Sequence, residues 1–354
     1  MLFDKIKIGS TELANRLIMA PLTRCRADAG HVPNALMAEY YAQRASAGLI
    51  ISECTMVMPN TSAFVSEPGI YSEQQVEAWK QVTDKVHSAG GKIFLQIWHA
   101  GRAAHPLMND GAENVAPSAI AIDGEVHTPE GKAANVKPRE LRDDELSGIV
   151  AAFKQGAVNA IAAGFDGVEV HGANGYLLDQ FLRDGSNKRD GAYGGSVENR
   201  ARLLMEVLDA VTSAIGAERV GLRLSPLNSY NSMIDSDPLG LVSYLAERLN
   251  SYELAYLHLM RADFLGQQKA DLVTSVREVY KGKLMVNMGY SAEEAAKVVS
   301  ESKADMVAFG TGFLANPDLP TRIKAGAEWN APDPKTFYSP GTAGYTDYPT
   351  IESA

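Results

Sequence analysis

The segment Gly167-Val168-Glu169-Val170-His171-Gly172-Ala173-Asn174-Gly175-Tyr176 joins a short apolar run to polar residues that follow it directly. It is one of eight such runs, each followed by a helix-like stretch. The runs cover residues 17–23, 48–55, 92–99, 167–172, 220–226, 254–260, 283–289 and 306–310. Eight strand–helix units predict an α/β protein with a closed (β/α)8 barrel, the TIM barrel. The strand C-terminal ends then meet at one mouth, where such barrels carry active sites, so the pattern favours an enzyme.

The bulk composition indicates one globular domain that spans residues 1–354. Of the residues, 45% are hydrophobic and 31 are glycines, which is ordinary for an α/β protein with a large core. No linker rich in Pro, Ser or Gly divides the chain, and α/β barrels of this length are commonly single domains. The formal charge of −10 argues against nucleic-acid partners, which bind clustered Lys and Arg.

The two cysteines, Cys25 and Cys54, are too few for a disulfide framework or a four-thiolate metal site. We interpret both as small core residues, and no metal site is expected. The first residues lack the apolar segment of a signal peptide, and no apolar run is long enough to cross a bilayer. We therefore expect a cytoplasmic protein without membrane contact, either a monomer or a homo-oligomer.

Amphipathic spacing predicts the helices between the strands. In the helix predicted over residues 146–164, apolar residues recur at every fourth position and polar residues, including Asn159, face away. Ser196 is expected to cap a helix over residues 196–216, and Pro317 to take the first position of the last barrel helix.

Two irregular regions are expected at the barrel mouth. Residues 100–140 contain four prolines and several glycines, so they cannot form one helix. Structureless connections longer than about 12–15 residues are usually functional in compact domains. We predict a lid or a small hairpin here, after the third strand. The tail from residue 331, rich in Pro and Tyr, is predicted to fold back across the mouth.

Three residues at the end of the fourth run form a candidate catalytic group. An imidazole N–H of His171 and an amide N–H of Asn174 would clamp a carbonyl oxygen that gains negative charge. The phenol of Tyr176 would donate a proton as a general acid. Zinc binding by His171 is disfavoured, because no second ligand lies at the spacing of zinc motifs.

A second group of polar residues lies inside the runs. Arg223 is a permanent cation in an apolar segment, and a buried charge requires an anionic partner. That partner is either the carboxylate of Glu169 or an anionic cofactor, and the sequence leaves both open. Gln96 can donate and accept at once, which suits the edge of a heterocyclic ring, and Thr23 offers a hydroxyl donor.

The ends of the seventh and eighth runs, at Gly289 and Gly310, are where TIM barrels commonly bind phosphate. Residues 310–315 also fit the dinucleotide pattern G-x-G-x-x-A. No strand that ends in an acidic residue follows them, so this match is discounted.

Taken together, these segments resemble the Old Yellow Enzyme flavoproteins, in the branch of the N-ethylmaleimide and pentaerythritol tetranitrate reductases. The similarity covers nearly the whole chain, and its motifs are long and occur in the family's order. Besides residues 171–176, the matching motifs are Met19-Ala20-Pro21-Leu22-Thr23-Arg24, Gln96-Ile97-Trp98-His99-Ala100-Gly101-Arg102, Ala116-Pro117-Ser118, Tyr193-Gly194-Gly195-Ser196-Val197-Glu198-Asn199-Arg200, Ser236-Asp237-Pro238, Ala315-Asn316-Pro317-Asp318-Leu319 and Gly344-Tyr345-Thr346-Asp347-Tyr348-Pro349.

The resemblance implies an oxidoreductase with non-covalent FMN that takes hydride from NADPH or NADH. Its substrates would be small activated alkenes: α,β-unsaturated carbonyls, maleimides and nitroalkenes. His171 and Asn174 would bind the substrate oxygen, and Tyr176 would protonate the α-carbon. The pocket would be completed by Phe64, Trp98 and Tyr338. The FMN-binding positions implied are Pro21, Leu22, Thr23, Gln96, Arg223, Met288, Gly289, Gly310 and Thr311.

The phosphate end departs from the family's pattern. The family has Gly-Arg where this chain has Gly310-Thr311, and its Gly-Gly-Tyr is Met288-Gly289-Tyr290 here. Loss of one charge-assisted bond predicts looser retention of FMN. Two alternatives stay open. A flavin-binding redox sensor would be yellow with little NADPH turnover, and a flavin-free (β/α)8 isomerase or aldolase would be colourless.

Overall fold

A computed structural model describes residues 1–351 and contains a closed parallel barrel. Each strand pairs with the next in the chain, and the eighth pairs with the first, so the sheet has no open edge. The prediction of a TIM barrel is confirmed. The barrel strands β1 to β8 are Leu17–Met19, Leu49–Ile51, Ile93–Trp98, Gly167–Gly172, Val220–Leu224, Tyr256–Met260, Leu284–Asn287 and Met306–Phe309.

Most of these strands are shorter than the apolar runs that predicted them. Strand β1 ends two residues before Pro21, which has no N–H to donate to a neighbouring strand. Strand β2 ends at Ile51, and Thr55, the last residue of that run, begins a separate two-residue strand, Thr55–Met56, which pairs with the end of β3. Thr23 therefore lies in the loop above the barrel mouth and not within β1.

Helices pack around the barrel as the amphipathic spacing predicted. The helix that follows Ser196 begins where expected, and the Ser196 hydroxyl accepts a hydrogen bond from the Asn199 N–H. The helices α1 to α10 are Ala35–Gln43, Glu73–Ser88, Asp143–Ala162, Leu177–Leu182, Val197–Ile215, Pro238–Leu249, Leu272–Val279, Ala292–Ser300, Thr311–Ala315 and Leu319–Ala325.

Two details of the helix predictions were wrong. Asn159 does not face away from the protein, because its side-chain amide donates to the Ile70 carbonyl at 2.7 Å. Pro317 does not begin the last helix. The short helix α9 ends just before it, α10 begins after Asp318, and the proline in the first turn of α10 is Pro320.

An N-terminal hairpin closes the end of the barrel opposite the mouth. Its strands, Ile6–Ile8 and Thr11–Leu13, pair antiparallel, and Ile8 and Leu13 are fully buried. They pack in one apolar cluster with barrel residues such as Leu49. The sequence reasoning missed this hairpin, because three-residue strands are too short to give a recognisable alternation.

The two irregular regions lie where they were predicted. After β3 the chain forms a hairpin of Glu125–Thr128 with Gly131–Ala134. The tail is bound above β1 by two arginines that follow that strand. Arg24 donates to the carbonyls of Phe337 (3.1 Å) and Gly344 (2.6 Å), and Arg26 donates to that of Phe337 at 2.8 Å. Backbone carbonyls thus accept the hydrogen bonds of two buried guanidinium groups and fix the tail.

Cys25 and Cys54 are buried and free of disulfide bonds, as expected. Within residues 1–351 no helix has the length and hydropathy that a membrane crossing requires. The same residues contain no group of three His, Cys, Asp or Glu side chains able to hold a metal ion.

Candidate active site

His171, Asn174 and Tyr176 come together at the C-terminal end of β4. Asn174 has left-handed backbone geometry (φ +57°), which asparagine tolerates better than most residues, and the turn places Tyr176 at the start of α4. The rings of His171 and Tyr176 lie edge to face, with centroids 5.1 Å apart. Trp98 packs edge-on against Tyr176, with centroids 4.4 Å apart. The rings of His171, Tyr176 and Trp98 therefore form one small, buried group, and the half-buried Asn174 lies in the turn that joins His171 to Tyr176.

His171 is neutral, and its hydrogen bonds indicate which nitrogen carries the proton. Its Nδ1 lies 3.3 Å from the Ala173 backbone N–H, which can only donate, so Nδ1 accepts and Nε2 holds the hydrogen. Burial lowers the pKa of His171 well below its ordinary value, and the nearby Arg223 cation lowers it further. His171 thus offers one N–H donor.

Tyr176 retains its proton for the same reason. Its side chain is almost fully buried, and burial raises its pKa well above the ordinary value of a phenol. A phenol that stays protonated can act as a proton donor at any physiological pH.

These two pKa shifts predict a flat pH profile for the step that uses this site. Protonation of His171 is displaced to lower pH and deprotonation of Tyr176 to higher pH. The pH range over which the rate constant stays the same is therefore wider at both ends. We expect the rate constant of the alkene step to vary less than about twofold between about pH 6 and about pH 9. Stopped-flow measurements on reduced enzyme at several pH values test this, and a clear inflection near pH 6.5 would contradict it.

Arg223 does not form the salt bridge with Glu169 that the sequence left open. Glu169 is fully buried, but its partners are Gln96 Nε2 (2.8 Å) and His258 Nδ1 (2.9 Å). Arg223 lies beside His171 in the register of β5 with β4, and its Nε has no hydrogen-bond partner among the described residues. Burial lowers its pKa, and the charge of Glu169 opposes this effect. A buried, incompletely bonded cation fits an anionic ligand above it.

Gln96 and Thr23 are positioned to contact such a ligand in definite ways. Because Gln96 Nε2 donates to Glu169, its Oε1 is left as an acceptor for a ring N–H. The Thr23 hydroxyl lies 3.1 Å from the sulfur of Cys54, a contact in which either atom can donate. Pro21 is buried and Leu22 is half-buried in the same loop.

The ends of β7 and β8 are the positions where the sequence predicts a phosphate site. Met288 and Gly289 both have positive φ, +94° and +65°, and such consecutive residues form concavities of N–H groups that suit anions. A positive φ at a non-glycine residue is strained. Arg261 holds this turn, since it donates to the carbonyls of Met288 and Gly289, each at 2.9 Å. Its guanidinium also stacks on the Tyr290 ring, with the carbon of the guanidinium 3.6 Å from the centroid.

The predicted pocket residues occupy two layers. Phe64 and Tyr338 stack with centroids 5.8 Å apart, and Tyr338 is 59% exposed. Trp98 is fully buried beneath them, against Phe64 and Tyr176. Trp98 therefore packs behind the wall of the predicted pocket, while Phe64 and Tyr338, which belongs to the tail, form its outer side.

Three residues that contribute to this site were missed from the sequence: His258, Arg261 and Asn228. His258 was read only as part of an apolar run, although a histidine there is a signal of a buried polar network. Asn228 and Arg261 lie in loops after β5 and β6, where nothing in the chain indicates their partners. Asn228 donates to Asn174 Oδ1 at 3.0 Å.

The fold and the site define a TIM barrel whose mouth holds a buried guanidinium, a free amide oxygen, a neutral imidazole and a protonated phenol. The chain belongs to the NADH:flavin oxidoreductase / NADH oxidase family, whose model matches residues 1–330. This confirms the prediction of a flavin-dependent oxidoreductase of the Old Yellow Enzyme family, in preference to a flavin-free isomerase or aldolase.

Several relatives are similar over nearly their full length. A protein of Leishmania infantum named as a probable flavin mononucleotide-dependent alkene reductase is 51% identical, over 99% of this chain and 97% of its own. The old yellow enzyme from Trypanosoma cruzi has a TM-score of 0.96 at 46% identity, covering 99% and 98% of the two chains. Morphinone reductase in complex with tetrahydroNAD has a TM-score of 0.94 at 45% identity, covering 99% and 97%.

Proposed function

We propose that this protein is an FMN-dependent NAD(P)H oxidoreductase that reduces the C=C bond of activated alkenes. The observation that carries the proposal is the buried contact between the neutral His171 and the protonated Tyr176, with the half-buried Asn174 in the turn between them. This arrangement suits a substrate oxygen conjugated to a double bond. We further propose a single FMN-binding domain over residues 1–354, a cytoplasmic location, and a monomer or homo-oligomer.

The residues present fit FMN. Within residues 1–351, Arg223 has no partner for its Nε, and Gln96 presents its Oε1 as an acceptor, so both match the polar edge of a flavin ring. Thr23, with Pro21 and Leu22, would contact the ring from the β1 loop. Its phosphate would meet the backbone of Met288, Gly289, Gly310 and Thr311. When bound, FMN supplies the transfer of hydride from NAD(P)H to the alkene.

The protein side chains perform two tasks in the alkene step. The N–H groups of His171 and Asn174 would bind the substrate oxygen and stabilise the negative charge that develops on it, which lowers the barrier selectively in the transition state. Tyr176 would deliver its proton to the α-carbon. Trp98 packs against Tyr176 and restricts its ring, so the proton is presented from a fixed position.

The names of the relatives support this substrate class. The Leishmania infantum protein is named an alkene reductase, and morphinone reductase was crystallised with a nicotinamide analogue. The motifs quoted above also resemble the N-ethylmaleimide and pentaerythritol tetranitrate reductases. We therefore propose maleimides and nitroalkenes as substrates beside enones, and NADPH or NADH as the hydride donor.

An anaerobic absorbance titration tests the function. The purified protein should show a flavin band that NADPH bleaches and that added 2-cyclohexenone restores. Bleaching without recovery by any activated alkene would contradict the alkene half of the proposal and favour the redox-sensor alternative. Absence of a flavin band, even after FMN is added, would overturn the proposal as a whole.

The substitution Thr311→Arg is expected to tighten FMN binding. Thr311 is exposed at the proposed phosphate site, so a longer side chain has room there. One charge-assisted bond should contribute about 1.5–3 kcal/mol, or roughly ten- to a hundredfold in the dissociation constant. Riboflavin, which lacks the phosphate, should bind as it does to the wild type.

Quenching of flavin fluorescence on titration of apoprotein gives both constants. Thr311→Gln is the matched control, since it lengthens the side chain without a charge. Equal tightening of FMN and riboflavin would show that the arginine does not act on the phosphate. Nanomolar retention of FMN by the wild type would contradict the looser binding that the sequence predicts.

A further inference from the structure

The loop after β5 binds Asn174 at three atoms. The Asn174 backbone N–H donates to Ser225 Oγ at 2.7 Å, and its carbonyl accepts from Asn231 Nδ2 at 2.9 Å. Its side-chain Oδ1 accepts from Asn228 Nδ2 at 3.0 Å. The first two bonds place the residue, but only the third distinguishes the two ends of the carboxamide, because Oδ1 can only accept and Nδ2 can only donate. Asn228 thus leaves the Nδ2 end of Asn174 for the substrate oxygen.

The orientation of Asn228 is itself determined by donors that cannot reverse. Asn228 is fully buried, and its Oδ1 lies 3.2 Å from the Phe264 N–H and 3.4 Å from the Tyr230 N–H. Backbone N–H groups only donate, so Oδ1 must face them and Nδ2 must face Asn174. The assignment of nitrogen and oxygen in both amides follows from these two backbone groups.

The backbone around Phe264 is held in place by the neighbouring Asp263. Its carboxylate accepts from the backbone N–H and hydroxyl of Ser229, each at 2.8 Å, and from the Gln267 N–H at 2.8 Å. These bonds lower the pKa of Asp263 to about 2, so it stays charged. The loops after β5 and β6 are therefore bonded to each other next to Phe264, whose N–H determines the orientation of the Asn228 amide.

We propose that Asn228 is a positioning residue that makes Asn174 a donor toward the substrate oxygen. This inference rests on the proposed function, in which Asn174 binds that oxygen. Without Asn228, the Asn174 amide can turn and present Oδ1, an acceptor, to an oxygen that is gaining negative charge. The Phe264 N–H thus determines the orientation of the Asn228 amide, and Asn228 in turn determines that of the Asn174 amide.

The decisive variant is Asn228→Asp, because it replaces only the Nδ2 amide group with an oxygen and keeps Oδ1. The carboxylate has nearly the same volume and still accepts from Phe264 and Tyr230. It replaces the donor that faces Asn174 with an acceptor, so the Asn174 amide should turn to donate to it. Arg183 lies nearby, with its Nη2 3.3 Å from the Asn228 backbone carbonyl, but its charge is already paired with Asp179. Asn228→Ala removes the donor without forcing the turn.

The probe is 4-hydroxybenzaldehyde, whose phenolate places a negative oxygen in the clamp and whose binding perturbs flavin absorbance. We expect its dissociation constant to rise several-fold in Asn228→Ala and on the order of ten- to a hundredfold in Asn228→Asp. KM for 2-cyclohexenone should rise in the same order, with FMN affinity unchanged. A purely structural role predicts the opposite order, since Asn228→Asp keeps the packing and backbone bonds that Asn228→Ala loses.

Asn174→Ala separates the inference from the proposed function. If Asn174→Ala binds the phenolate as the wild type does, the oxygen clamp itself is wrong. If Asn174→Ala weakens binding and Asn228→Asp does not, only the positioning role is overturned. The double variant should bind no more weakly than Asn174→Ala alone, because both changes act through one amide. Additive losses would place the effect of Asn228 elsewhere and contradict the inference.

Discussion

Replacement of Tyr176 by phenylalanine is expected to slow the alkene step by on the order of a hundred- to ten-thousandfold, the usual contribution of a general acid. Reduction of the enzyme by NADPH should keep its rate, because that half-reaction takes no proton from the phenol. The fold should be unaffected, since the ring packs against Trp98 and His171 through its carbon edge and face. A selective loss of one half-reaction would identify Tyr176 as the proton donor.

Anaerobic stopped-flow measurements separate the two half-reactions with 2-cyclohexenone as oxidant. Tyr230→Phe is the matched control. Tyr230 is a second phenol of this region, but it is 41% exposed and packs on Phe264 instead of Trp98. Its loss should change the alkene step by less than about twofold, as is usual for surface substitutions. If Tyr176→Phe keeps the wild-type rate, the proton comes from another source and the assignment is wrong.

The second large effect is expected for Arg223→Gln. The variant loses the cation that would meet the flavin ring, so FMN affinity should fall by about 2–3 kcal/mol, on the order of a hundredfold in the dissociation constant. It also leaves Glu169 as a buried carboxylate without the opposing charge of Arg223. Because Arg223 and Glu169 are not bonded to each other, this loss should be smaller than the about 3–5 kcal/mol that is typical of a broken buried salt bridge. This single substitution should therefore lower both the FMN affinity and the free energy of unfolding.

The double variant Arg223→Gln/Glu169→Gln distinguishes the two effects. It should recover much of the unfolding free energy, because no uncompensated charge remains in the barrel, but it should not recover FMN affinity. Chemical denaturation of the apoproteins measures the first quantity, and titration with FMN measures the second. Recovery of both would mean that Arg223 affects FMN only through the stability of the barrel. Glu169→Gln alone serves as the control.

Local pattern was sufficient for much of the architecture and for the principal site residues. The apolar runs located all eight strands, although Pro21 and the separate strand Thr55–Met56 shortened two of them. The cap at Ser196 was predicted correctly, because the capping bond joins residues three positions apart. Pro317 was assigned to the wrong helix start, because the chain gives little sign that the short helix Thr311–Ala315 intervenes.

What the sequence determined by itself is the closed barrel, the clustering of His171, Asn174 and Tyr176, and membership of the flavin oxidoreductases. These depend on periodicity and on motifs contained within single strand–loop units. The tertiary structure alone decided which hydrogen-bonding groups face the mouth. Glu169 is hydrogen-bonded to Gln96 and His258, and among the residues that the structure describes the Arg223 Nε has no partner. Asn228 donates a hydrogen bond to the Asn174 side chain, 54 positions away along the chain, and Arg261 donates one to the Met288 carbonyl, 27 positions away. Such pairs are set by the distance between neighbouring strands of a closed sheet, which separation along the chain does not encode.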